Sequence, residues 1–157
     1  MPIIEQRSRP ITLLIIILWS LFAATTVDAK EQKEDPPKPE VPKIIFSGLG
    51  EYGFKGAEAV VKVWMKGSAL EESVESLTYV NALKQAESIY GNFLSSSVAH
   101  VHPLTTTTLL VYLSINYEKG PLFARFLVYR AKEGWIIPEI SFNTKPELIL
   151  PPSLLAP

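Results

Sequence analysis

The chain has 157 residues, with 15 Lys and Arg against 16 Asp and Glu, and no cysteine. The missing cysteine excludes disulfides, thiol chemistry and a lipid-modified N-terminal cysteine. A net charge of −1 with no basic cluster excludes the positive footprint that nucleic acid or an anionic membrane surface requires.

Residues 1–29 read MPIIEQRSRPITLLIIILWSLFAATTVDA. Arg7 and Arg9 precede an apolar run from Ile11 to Ala24, and the small residues Val27 and Ala29 close the segment. This order predicts a secretory signal peptide cleaved after Ala29. The competing reading is a retained anchor, but the run falls short of the roughly 20 apolar residues a span needs and contains Ser20. The expectation is therefore an extracytoplasmic protein, periplasmic or secreted, with no stable membrane span after cleavage.

Residues 30–43, KEQKEDPPKPEVPK, hold four lysines, four acids and four prolines around the single aliphatic Val41. Such a piece cannot bury enough apolar surface to offset its ordering entropy, and proline stiffens it. It reads as a linker. Residues 44–150 are expected to form one domain, with 151–157 a flexible tail. From Ile44 onward there are nine Lys and Arg and ten Glu, and a segment of this size buries roughly two thirds of its unfolded surface.

Within the domain, IIFSGLGEYG (44–53) reads as an apolar lead-in that packs against the rest. From Lys55 to Lys66 the residues Ala57, Val60, Val61 and Trp64 recur at helical spacing, and Gly67 suits the end of that helix. SALEESVES follows as a turn or short helical link. Tyr79, Ala82, Leu83, Ala86 and Tyr90 form one apolar face of a second helix over 77–90, stopped by Gly91.

The remainder reads as antiparallel strands. Leu94–Leu104 is one candidate. Thr105–Tyr117 has a period of two, with Leu109, Val111, Leu113 and Ile115 on one face and Leu110, Tyr112, Ser114 and Asn116 on the other, the pattern of a sheet with one dry face. Glu118-Lys119-Gly120 turns. Leu122–Arg130 returns with Leu122, Ala124, Phe126 and Val128 on one face. Lys132-Glu133-Gly134 predicts a three-residue hairpin loop. Trp135–Phe142 ends the set with Ile136, Ile140 and Phe142 on one face, and Pro138 marks an edge or a bulge. Burying matched faces predicts Tyr117 near Leu122, Ile115 near Ala124 and Leu113 near Phe126. Arg125 then stands outside the core, on a mixed second face with Tyr112, Phe123, Leu127, Tyr129, Glu139 and Ser141.

The expected fold is thus α+β: two N-terminal helices packed on a curved antiparallel sheet of about four strands. That order, the Tyr90-Gly91 stop and the run NYEKGPLFARFLVYRAKEGW resemble the nuclear transport factor 2-like superfamily, the cystatin-like α+β cones. They look like small secreted bacterial members whose function is unassigned. The resemblance covers about Phe54 to Thr144. It implies a pocket between helices and sheet, with Trp64, Tyr90 and Phe126 as lining candidates, and frequent dimers through the exposed sheet face. Catalytic members resembling ketosteroid isomerase or the dehydratases rely on a pocket aspartate or an Asp–His pair. This chain departs from them, because Asp28 and Asp35 are its only aspartates and both precede the domain.

Other chemistries find little support in the residues. His100 and His102 fall on one side of a strand and could approach a metal together, but no third ligand lies near. Ser95-Ser96-Ser97 precedes His100 without the sharp elbow a nucleophilic serine requires. No phosphate-binding or dinucleotide glycine pattern occurs. No metal and no cofactor is expected, and no catalytic residue is assigned.

The ligand or interface candidates are Tyr112, Arg125, Tyr129 and Glu139. Arginine stacks on rings and binds carboxylates bidentately. The plain structural alternative is a cross-strand contact or an Arg125–Glu139 salt bridge. The function expected is an exported non-catalytic module that binds a small ligand or a protein partner, with a possible homodimer through the sheet face. The alternatives are a small pocket enzyme of isomerase or lyase type using Glu139 or a histidine as base, and a structural envelope subunit.

Overall fold

A computed structural model describes residues 39–156. The signal-peptide reading, the cleavage site and most of the linker lie outside the described residues. Packing begins earlier than the domain boundary expected at Ile44, because Pro42 is buried and Val41 packs against the core.

The architecture is α+β, with three helices followed by a four-stranded antiparallel sheet. The helices are α1 (Lys43–Lys55), α2 (Ala57–Met65) and α3 (Glu75–Tyr90). The strands are β1 (Phe93–Pro103), β2 (Thr108–Tyr117), β3 (Gly120–Ala131) and β4 (Gly134–Asn143), in the order β1-β2-β3-β4. Short 3-10 turns at Pro146–Leu148 and Pro152–Leu154 follow.

The helix count corrects the expectation of two, since the lead-in 44–53 is itself helical. Its three glycines each cost about 1 kcal/mol of helix propensity relative to alanine, yet Ile45, Leu49 and Tyr52 bury one side of α1. Tertiary packing outweighs propensity here. Gly56, at φ 78° and ψ −171°, then breaks the chain between α1 and α2, a conformation essentially reserved for glycine. Serines 68, 73 and 76 each donate to a carbonyl three residues back, at 2.7, 3.1 and 2.7 Å, and so shape the turns between α2 and α3.

Strands β2 and β3 keep the predicted faces but not the predicted pairs. Tyr117 lies opposite Gly120, Ile115 opposite Leu122, Leu113 opposite Ala124 and Val111 opposite Phe126. The hairpin loop is shorter than expected, only Glu118-Lys119, so every pair moves by two residues. A two-residue move leaves side chains on the same face. The β3–β4 loop is also two residues, Lys132-Glu133, because Gly134 already pairs with Ala131. Pro138 sits on an edge strand at a register shift, where Leu127 pairs with Glu139 but Tyr129 pairs with Ile136. The extra residue reverses the alternation, so Ile137, not Ile136, is fully buried.

Candidate functional site

The helices cover one face of the sheet, and the space between them is occupied by side chains. Trp64 and Phe126 are both fully buried, with ring centroids 4.8 Å apart in an edge-to-face contact. The Trp64 indole N–H donates to the Ile45 carbonyl at 3.1 Å. Tyr90 lies at the end of α3, its ring over Gly120. Nearby, the Lys119 amide donates to the Tyr90 carbonyl at 2.8 Å and the Glu118 amide to the Asn92 carbonyl at 3.2 Å. These bonds clasp the β2–β3 hairpin onto the end of the helix layer.

Two buried hydroxyls sit between layers. Those of Tyr52 and Tyr117 are 2.9 Å apart, and the Tyr52 hydroxyl also approaches the Leu83 carbonyl at 3.4 Å. Burial, the bond to Tyr117 and the charge of Glu87 all push the Tyr52 phenol up. Burial pushes Tyr117 up to about 12, against the opposing bond from Tyr52 and with help from Glu87. Both phenols stay protonated at neutral pH and fasten α1 to β2.

The outer face of the sheet carries the chemistry. Strand pairing places His100 opposite Tyr112, Tyr112 opposite Arg125, and Arg125 opposite Ser141. One polar row therefore crosses all four strands. The next row is His102, Leu110, Leu127 and Glu139. Arginine Nη2 of residue 125 donates to Glu139 Oε1 and to Ser141 Oγ, each at 3.1 Å. The Ser141 hydroxyl in turn donates to Glu139 at 3.3 Å. The rings of His100 and Tyr112, and of His100 and His102, are each 6.2 Å apart.

Of the four candidates, Tyr112, Arg125 and Glu139 come together. Tyr129 does not join them, because it pairs with Thr108 and Ile136 near the other end of the sheet. Tyr112 is buried outside the main core, whereas Tyr129 is 43% exposed. His100 enters the row through a register shift between Val98 and His100. Alternation alone could not reveal that; a signal would have been the short side chain of Ala99, which suits the extra residue. Among the described residues no three of His, Asp and Glu converge as a metal set.

No known protein family matches this chain, and neither does any curated protein. Among solved structures, the intermembrane space region of chloroplast protein ARC6 aligns with 66% of this chain and 90% of its own, at 15% identity and a TM-score of 0.39. A likeness of that size carries no argument about fold family or function. Among the described residues no helix is long and apolar enough to cross a membrane.

Proposed function

We propose that this chain is an exported, non-catalytic interaction module of nuclear transport factor 2-like form, which joins a second copy of itself through the outer face of its sheet. The row His100–Tyr112–Arg125–Ser141 carries this reading. It is flanked by the half-buried Leu110, Phe123 and Leu127. An apolar surface rimmed by polar groups is the usual composition of a protein contact. A twofold contact presents the same patch twice, so Arg125 and Glu139 of one copy meet acceptors and donors of the other.

The filled interior supports binding at the surface over binding within the cone. Glu139 is half exposed on an edge strand and already paired with Arg125. That setting suits a contact more than a general base, which acts within a pocket that encloses its substrate. Export rests on the basic, apolar and small-residue order of the first 29 residues.

Sedimentation velocity of the purified exported protein tests the reading. A dimer that becomes monomeric on Leu127→Glu supports it. A monomer at every accessible concentration contradicts it.

A further inference from the structure

Two concave regions meet at Trp135, where α1 begins and the β3–β4 hairpin turns. The first has a volume near 600 Å³ and apolar walls from Val41, Ile44, Leu109 and Trp135. The second, near 580 Å³, shares Ile44 and Trp135 and continues to Val63 and Ile136. Each volume lies in the usual range for small-ligand sites, which combine apolar walls with a few polar groups.

The rim is positive. Lys43 and Arg130 line the first region together with Glu40, and Lys66 and Lys132 line the second together with Glu133. The domain from Ile44 onward has nine Lys and Arg against ten Glu, so four cations around these adjoining regions are a local concentration. Among the described residues the ion pairs are Lys55–Glu51, Lys84–Glu58 and Arg125–Glu139. None uses the four rim cations. The Arg130 guanidinium sits 5.9 Å from the Trp135 ring centroid, held beside the apolar wall by cation–π attraction. Its backbone is fixed by a 2.8 Å bond from its amide to the Thr107 carbonyl. A planar guanidinium in that position matches a carboxylate.

We infer that this cleft binds an amphiphilic carboxylate, with its anionic head at Arg130 and Lys43 and its apolar body along Ile44 and Trp135. The excess of one positive charge in each region suits a monoanion. The site lies away from the outer-face row and is independent of the proposed dimer.

The test is an NMR titration of the isotope-labelled protein with octanoate below its micellar concentration, with acetate and octanol as controls. Octanoate is expected to shift the Trp135 indole and Arg130 amide signals saturably, and acetate and octanol to bind at least about tenfold more weakly, since each lacks one half of the recognition. Arg130→Gln should weaken octanoate by about tenfold, the scale of a lost charged hydrogen bond, while Arg125→Gln should not. Arg130 is exposed, so its replacement should leave the remaining spectrum intact; Lys43→Gln serves if it does not. No saturable shift overturns the inference. So does equal binding of acetate or of octanol, or unchanged octanoate affinity in both rim variants.

Discussion

The indole of Trp64 lies directly over Gly48, so that a Cβ at Gly48 would fall onto the ring. Helix α1 therefore approaches α2 at its backbone. The indole N–H reaches past the glycine to the Ile45 carbonyl at 3.1 Å. Gly48→Ala should destabilise the protein by about 1–3 kcal/mol through overpacking, although alanine is the better helix former by about 1 kcal/mol. Gly50, in the same helix, has nothing within 4 Å of a built Cβ. Gly50→Ala should be neutral or stabilising. Urea unfolding of both variants checks the pair; equal effects would contradict the contact.

Gly91 has a different role. At φ 86° and ψ −162° it ends α3, in a region that costs other residues about 1–3 kcal/mol. A Cβ there would also meet the Glu118 side chain, which accepts from Asn92 Nδ2 at 3.0 Å. Gly91→Ala should lower stability by at least about 1 kcal/mol, whereas Asn92→Ala, which removes only an exposed bond, should cost less. Thermal unfolding in parallel distinguishes them.

The Tyr52–Tyr117 pair predicts an alkaline limit. Tyr117 is raised in the folded state from 10.0 to about 12, chiefly by burial, and Tyr52 is raised further. The folded protein thus holds these protons more tightly than the unfolded chain. The contribution of Tyr117 is complete below pH 10 and is lost as pH rises through 10 to about 12, while that of Tyr52 is still being lost above that window. Urea midpoints measured across that window should fall, and Tyr117→Phe should make the fall shallower. A midpoint independent of pH there would contradict the buried pair.

Much of this arrangement is legible in the residues. The period of two over Thr108–Tyr117 and Leu122–Arg130 sorts which side chains face the helices. The actual pairs differ by two residues because the hairpin loop is two residues long, and a shift of two preserves both faces. Where one extra residue enters, legibility stops. The bulge at Pro138 exchanges Ile136 for Ile137 in the core, and the shift beside His100 brings that ring to Tyr112. Helix α1 escapes a propensity argument because Gly48, one of the three glycines that weaken it, is the one that admits Trp64. Tyr129 shares the face of Arg125, but it lies four residues along the strand, beyond Leu127.

Arg125 separates stability from association. Its ion pair with Glu139 is partly exposed, with side chains 38% and 52% accessible, so it should contribute under about 1 kcal/mol to folding. Arg125→Ala should leave the unfolding midpoint of the monomer nearly unchanged and weaken self-association. Loss of folding without loss of association would reverse that assignment.

Pairing of two copies through the outer sheet face can be read by cross-linking, because the chain has no cysteine of its own. A single cysteine at Leu127, on the outer face, is compared under mild oxidation with one at the exposed Lys62 of α2. Rapid, concentration-dependent disulfide dimers are expected for Leu127→Cys and few for Lys62→Cys, if the outer faces pair. Equal cross-linking of the two, or none at Leu127→Cys in a folded protein, would contradict it.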